Sequence, residues 1–306
     1  MNSPLVFVVV LNWNGWRDTI RCLDAVARLD YPAYHVIAID NGSSDDSIEQ
    51  IRAAKPEIEL MEEEQNLGFA GGNNTGIRRA LDQGAEYVWV VNNDAVVEPD
   101  SLRALVETAQ SRPRIGVVGP AVWRPPAGGE SVEEHAAFVW HGEYRLPAEC
   151  PPLDGQGQRP LHLVDDVAGS SALFDARMLR EDGLFDERFF HYWEDVEICA
   201  RARNAGWLVA HACRARIWHS VGASLSTASA QAQYYFIRNW LLYSRWSCGR
   251  GLFTIFRHAP RMTLGRIFGR RWLRQRRLRI ALAGIFGLVD ALRGRYGPRS
   301  IPRWLG

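Results

Sequence analysis

The stretch "LVFVVVLNWNGWRD", residues Leu5–Asp18, decides the fold. Its apolar run Leu5–Leu11 has no basic flank before it and no small-residue cleavage site after it, which argues against a secretory signal. It reads as a buried first strand. A dinucleotide-binding fold would continue it with G-x-G-x-x-G, and "NWNGWRD" is not that loop, so the dinucleotide reading fails where it is defined. Outward from this strand the signals alternate. A helical stretch covers about Asp18 to Leu29, "YHVIAIDNGS" is a second strand, and "SDDSIEQIRAA" is a second helix with Asp46 and Glu49 spaced as a capping box. A short strand near Ile58–Met61, the loop "NLGFAGGNNTG", a helix to about Gln83 and the strand "YVWVV" complete the first hundred residues. Alternation of this kind predicts an α/β layer with a mostly parallel sheet. In such sheets ligands sit beyond the carboxyl ends of the strands, and those ends carry Asn12, Asp40, Asn66 and Asn92–Asn93–Asp94.

The 306 residues, 47% of them hydrophobic, are enough for one large core plus an appendage, and so for an enzyme rather than a short binding module. The five cysteines are an odd number, widely scattered and without a CxxC pair, so neither a disulfide framework nor a zinc knuckle is expected, and a reducing cytoplasm fits. No run approaches the ~18 apolar residues of a spanning helix; the longest candidate is Ile280–Val289. The net charge of +1 hides a segregation: residues 238–306 hold 16 arginines and one acid, Asp290. That asymmetry points to an anionic partner for the tail, a membrane surface or nucleic acid.

Beyond the first hundred residues, 124–160 is rich in Pro and Gly and reads as irregular surface excursions. The core pattern resumes at "LVDDVAGSSALFDARML". A helix from about Glu194 to Ala205 stops at Gly206, and "WLVAHACRARIWH" reads as a strand ending at His219.

Several residues carry chemistry. Asp40, followed by Asn41–Gly42–Ser43, is either a turn former or a carboxylate facing a nucleoside. The glycines of "NLGFAGGNNTG" either let backbone amides approach a phosphate or sugar, or serve helix packing. Asn92–Asn93–Asp94 by itself reads first as a turn; its carboxylate also suits a divalent cation bridging the oxygens of a diphosphate leaving group. Glu194 and Asp195 open a helix, either complementing its dipole or supplying a base kept anionic there. The imidazole of His219 suits Mn2+ better than Mg2+ as a second ligand.

Taken in order, "VVVLNWNG", "AIDNGSSDDS", "NLGFAGGNNTGI", "VVNNDAVVEPDSL", "GLFDERFFHYWEDVEICARARNAGW" and "IWHSVGAS" resemble the inverting family 2 glycosyltransferases of the GT-A fold, in the bacterial rhamnosyltransferase and galactofuranosyltransferase-like branch. The match spans roughly residues 5–225. The resemblance implies an α/β fold with a Rossmann-like, mostly parallel central sheet flanked by helices, followed by a helical, Arg-rich extension. It implies that Asp40 and Asn12 bind the nucleobase and ribose, and that Asn66, Gly72, Asn73 and Asn93 line the donor pocket. Asp94, last residue of the family's D-x-D, and His219 are the implied ligands of Mn2+ or Mg2+. Asp195 matches the general base and Glu194 an acceptor-binding neighbour. Asn at 92 and 93 departs from the acidic pattern and leaves fewer charges near the metal.

The expected function is therefore metal-dependent transfer of a sugar from dTDP-rhamnose or a UDP-sugar to a hydroxyl of a saccharide or lipid-linked glycan. A sugar-phosphate nucleotidyltransferase and a non-catalytic nucleotide-sugar-binding relative are the alternatives. The expected organisation is a catalytic domain over 1–230 and a basic, aromatic-rich tail over 231–306. In the tail Trp240, Leu241, Phe253, Ile255, Phe256, Ile267, Phe268, Trp272, Leu273 and Ile280 interleave with arginines. Its first helices are expected to pack on the catalytic domain near 238–246. The remainder suits an anionic membrane surface rather than nucleic acid, placing the protein peripherally on the cytoplasmic face of the inner membrane.

Overall fold

The computed structural model describes residues 3–124, 132–134, 136–141, 144–153, 161–219, 229–246 and 277–299. The leading strand, β1 (Val6–Asn12), lies at the centre of a ten-stranded sheet, parallel to β2 (Tyr34–Asp40) on one side and to β4 (Tyr87–Asn92) on the other. With β3 (Glu59–Glu62) outside β2, these four strands form an all-parallel half. Side chains alternate across it. Val6, Val8 and Val10 pack with α1 (Trp16–Val26) and α4 (Ser101–Gln110), whereas Phe7 and Val9 pack with α3 (Gly68–Asp82). Burial on both faces explains why the strand is an uninterrupted apolar run. The register pairs Asn12 with Asp40 and Leu11 with Asn92, so the polar strand ends finish at one level.

The other half of the sheet is mixed. β12 (Ser171–Asp175) runs antiparallel to β4 and to β6 (Ile115–Arg124), and β13 (Leu208–His219) is parallel to β6. The short β5 (Ala95–Val97) follows Asp94 directly and pairs with the end of β13, setting His219 opposite Ala95.

Several local expectations change. α3 begins at Gly68, so most of "NLGFAGGNNTG" is helix rather than loop. Gly68 has φ +77°, and a Cβ there would collide with the Phe190 carbonyl. The helix α2 (Ser47–Ala54) lacks the expected capping box: the Asp46 side chain makes no cap bond, and Asp45 Oδ1 instead accepts from Ser47 N at 3.1 Å. The segment expected to be irregular contributes β7 (Val132–Glu134), β8 (Ala137–His141) and β9 (Tyr144–Pro147). β8 and β9 form a second, three-stranded sheet with β11 (Asp166–Val167), while β10 (His162–Val164) extends the main sheet beside β13. The cysteine expectation is also corrected. Cys150 and Cys213 form a disulfide although 63 residues separate them, because the β8–β10 excursion returns to the β13 edge. Cys22 and Cys199 are buried and lie outside the disulfide.

The described part of the tail is α7 (Ala230–Trp246) and α8 (Arg277–Leu292), which pack on each other. Trp240, Leu241, Leu242 and Tyr243 of α7 share a core with Phe189, Trp193 and Val196. Arg238 is fully buried rather than solvated, and its guanidinium donates to the carbonyls of Phe189 (3.1 Å), Arg188 (3.2 Å) and Gly297 (2.6 Å). Phe253, Ile255, Phe256, Ile267, Phe268, Trp272 and Leu273 lie outside the described residues. Among the described residues no helix is long and apolar enough to cross a membrane.

Candidate active site

Where the parallel strands end, a chain of side chains runs from β4 to β2. Asn93 Nδ2 donates to Thr19 Oγ1 (3.0 Å), and Thr19 Oγ1 donates to Asn12 Oδ1 (2.7 Å). Asn12 Nδ2 in turn donates to Asp40 Oδ2 (2.7 Å), while Ser43 N donates to Asp40 Oδ1 (2.9 Å). Asn12 and Asp40 are both fully buried. Both are held by this chain at the ends of β1 and β2 and are not among the residues that line the neighbouring cavity. The same chain accounts for Asn at 93. The Thr19 hydroxyl proton is already given to Asn12, so its next neighbour must be a donor, which an amide is and a carboxylate is not.

Beside these strand ends lies a cavity of about 320 Å³. Its sheet-side wall includes Trp13, Asn41, Asn66 and Asn92–Asn93–Asp94; its other wall includes His191, Tyr235 and Arg299. Asn66 Oδ1 accepts from Gly68 N (2.7 Å) and Asn41 Nδ2 (3.2 Å), which shapes the rim. Gly72 and Asn73 are buried in α3 and do not line the cavity. A Cβ at Gly72 would meet Leu11 Cδ1 at 2.5 Å, so glycine lets the helix lie close to β1. Asn73 Nδ2 donates to the Phe69 carbonyl (2.9 Å). The amide of Phe69, early in α3, donates to the Phe190 carbonyl at 2.6 Å, Gly68 borders the cavity, and Gly72 serves close packing on β1.

Asp94 and His219 come together. Asp94 Oδ1 lies 3.1 Å from His219 Nε2, both side chains are largely buried, and the Asn92 amide is 3.4 Å from the same ring nitrogen. Behind them burial and the Asp94 charge push the Cys22 thiol up to about 12, so it stays protonated beside the Asn92 carbonyl.

Glu194 and Asp195 open α6 (Glu194–Asn204) after a strained turn in which Phe190, Tyr192 and Trp193 all have φ between 60° and 75°. The tail holds that turn. Asn239 Nδ2 donates to the carbonyls of Phe189, His191 (2.7 Å) and Tyr192 (2.9 Å). Asp195 accepts from Gly169 N (2.9 Å) and Val196 N (2.8 Å), and the adjacent Ser170 carbonyl accepts from Asn92 N (2.9 Å), tying the acid to the Asn92–Asp94 turn. Burial, and then the charge of Asp195, raise Glu194 well above the ordinary carboxylate range. His191 goes the other way: burial lowers it to about 4, leaving a neutral imidazole at the cavity.

Sequence reasoning missed Trp13, Asn41, Tyr235 and Arg299 as wall residues. Trp13 and Asn41 directly follow strand ends, a signal that could have found them. Tyr235 and Arg299 reach the cavity only through the docking of α7 and α8 and have no local signature.

A mostly parallel sheet flanked by helices, with Asn92–Asn93–Asp94 on a cavity beyond its strand ends and His219 against Asp94, has the architecture of the GT-A class of glycosyltransferase. The chain belongs to the Glycosyl transferase family 2, whose model matches residues 7–181. It is 29% identical over 245 residues to the N-acetylglucosaminyl-diphospho-decaprenol L-rhamnosyltransferase of Mycobacterium tuberculosis, covering 69% of this chain and 78% of that one. It is 26% identical over 206 residues to galactofuranosyltransferase GlfT1 of the same organism, covering 66% of this chain and 65% of that one. In fold it is similar to the mannosyltransferase PcManGT from Pyrobaculum calidifontis, solved with GDP-Man and Mn2+, with a TM-score of 0.59, 17% identity and coverage of 99% of this chain and 78% of that chain.

Proposed function

We propose that this glycosyltransferase moves a sugar, with inversion, from a nucleoside diphosphate donor such as dTDP-rhamnose or a UDP-sugar to a hydroxyl of a saccharide or lipid-linked glycan. The observation that carries the proposal is the contact between Asp94 and His219 at the cavity. Two buried donors, a carboxylate oxygen and an imidazole nitrogen 3.1 Å apart, fit a divalent cation, Mn2+ better than Mg2+. When bound, such a cation offsets the negative charge that develops on a departing nucleoside diphosphate.

The protein's own groups do the rest. Asn66, Trp13 and Asn41 contact the donor, Asn93, Asn12 and Asp40 hold the strand ends beside it, and Gly72 and Asn73 set how closely α3 supports it. Arg299 offers a cation to the donor from the opposite wall. Asp195, oriented by two backbone N–H groups, takes the proton of the acceptor hydroxyl. The freed oxygen bonds to the anomeric carbon as the carbon–phosphate oxygen bond breaks, and the nucleoside diphosphate leaves. Glu194 borders the acceptor.

Residues 1–230 carry this chemistry in the proposal, and 231–306 close the cavity and meet an anionic membrane. Exposed Ile285, Phe286 and Leu292 on α8 and the arginines between 250 and 276 support the membrane contact. Because Arg299 borders the cavity, flotation with anionic liposomes should use the full chain with those arginines changed to glutamine, not a truncation; equal flotation of both proteins would sink the membrane contact. For the transfer itself, nucleoside diphosphate release is measured across dTDP-rhamnose, UDP-galactofuranose and UDP-hexoses, with Mn2+, Mg2+ or chelator. Metal-dependent release from one donor is expected. Pyrophosphate release, or no turnover of any donor with a lipid-linked or saccharide acceptor, would overturn it.

A further inference from the structure

The far end of the main sheet holds a second cluster that the transfer reaction does not use. His162 on β10 sits directly across from His211 on β13, with ring centroids 5.5 Å apart, and Cys213 lies two residues along on the same face of β13. Cys150, just beyond β9, completes the group. The Cys213 sulfur is 3.8 Å from Nδ1 of both histidines, the Cys150 sulfur is 3.7 Å from Nδ1 of His211, and one ligand atom from each of the four residues falls within 4.8 Å of every other.

We propose that Cys150, His162, His211 and Cys213 form a structural zinc site that is loaded when the Cys150–Cys213 disulfide is reduced. Two soft sulfurs and two imidazoles are a donor set for tetrahedral zinc, and the bond lengths of such a site, ~2.3 Å to sulfur and ~2.0 Å to nitrogen, imply sulfur–nitrogen edges of about 3.6 Å. The separations of 3.7 and 3.8 Å come within a few tenths of an ångström of that, so three edges of the site are near the required length, and the two sulfurs part on reduction to admit the ion. A cavity of about 200 Å³ lined by His162, His211 and Cys213 opens beside the cluster and gives an ion a way in. The two sulfurs set this group apart from the carboxylate–imidazole pair of Asp94 and His219, so the two ends of β13 suit different ions.

The exchange balances as follows. A dithiol reductant gives two electrons to the disulfide and becomes a disulfide itself, while Cys150 and Cys213 become thiols. Zn2+ then binds both sulfurs as thiolates and releases two protons. In either state the cross-link pins the β8–β10 excursion to the sheet edge. That excursion continues through β11 to Gly169, whose N–H is donated to Asp195, so the pin anchors the segment on which the acid leans.

The test uses the full chain, reduced with a dithiol, and Co2+ as probe. One equivalent of Co2+ should give thiolate-to-cobalt charge-transfer absorption that one equivalent of Zn2+ removes. The band should be absent in the oxidised protein, absent in Cys213→Ser and unchanged in Asp94→Asn. If Cys213→Ser fails to fold, His162→Gln serves instead: it should weaken Zn2+ binding by at least about tenfold while the disulfide still forms on oxidation, as thiol titration would show. A reduced protein with titratable thiols and no charge-transfer band, a band that survives in Cys213→Ser, or unchanged zinc affinity in His162→Gln would each overturn the site and leave a disulfide staple only.

Discussion

The cavity has two walls of different origin. The sheet-side wall is made where parallel strands stop, and its residues sit at or directly after the strand ends: Trp13 after Asn12, Asn41 after Asp40, and Asn92 to Asp94. The tail-side wall is assembled from distant pieces, the strained 189–193 turn, Tyr235 on α7 and Arg299 beyond α8. Strand ends are rigid because both sheet faces are packed, so that wall can present donors with little freedom. The strained turn leans on distant donors: Asn239 and Arg238 of the tail hold the carbonyls of Phe189, His191 and Tyr192, and Phe69 N of α3 holds that of Phe190. Lesions in the first wall should therefore cost chemistry with the fold intact, and lesions in the tail should cost stability as well.

The largest effect should come from Asp195→Asn, which keeps the shape but removes the proton acceptor. We expect kcat to fall about 10³-fold, the scale of a lost general base, with donor affinity and melting temperature unchanged. Substantial residual turnover in single-turnover assays would show that another group takes the proton. Asp94→Asn should lower kcat about 10²-fold and weaken Mn2+ binding, measured calorimetrically, again without loss of stability. If Asp94→Asn melts early instead, the sheet-side wall is less independent of the tail than the packing implies.

Asn239→Ala tests the other wall. Its amide donates among three backbone carbonyls; Phe189 keeps Arg238 as a donor, and taking the amide from those of His191 and Tyr192 should cost about 2–3 kcal/mol in urea denaturation. Turnover should fall too, because the turn aims Glu194 and Asp195. A variant that kept wild-type stability and lost only activity would mean that the turn holds itself.

The same contrast explains what could be read from the chain. β1, β2 and β4 are continuous apolar runs that stop at Asn or Asp, and both facts are local, so the sheet and the sheet-side wall were legible. α3 was placed too late because its glycines lower helix propensity, and the reason for them, close approach to Leu11 and the Phe190 carbonyl, is tertiary. The expected cap at Asp46 lost to its neighbour Asp45, a choice that spacing does not encode. Asn93 reads from the sequence as a neutral donor-pocket residue, and its bond to Thr19, which ties it to the β1 end, depends on the fold. The cross-strand meeting of His162 and His211, and the return of Cys150 to Cys213, depend on the path of a Pro- and Gly-rich excursion that carries no periodic signal.

The smallest effect, and the subtlest test of the strained turn, concerns Glu194. Its carboxyl is buried, its Oε2 has no hydrogen-bond partner, and burial together with the charge of Asp195 raises its proton affinity. The sign follows from linkage. The folded state holds the proton above the ordinary value of 4.5, where the unfolded chain has released it, so the folded state binds more protons and stability falls as pH rises from there. Glu194→Gln removes this slope, because an amide does not titrate. The variant should therefore gain on the wild type as pH goes from acidic through neutral to alkaline, read as the difference in urea midpoint at each pH. In an Asp195→Asn background one of the two causes is gone, and the gain should shrink. A difference that narrows with rising pH would mean that Glu194 is ionised in the folded protein, and the turn would then need a counter-charge that neither wall supplies among the described residues.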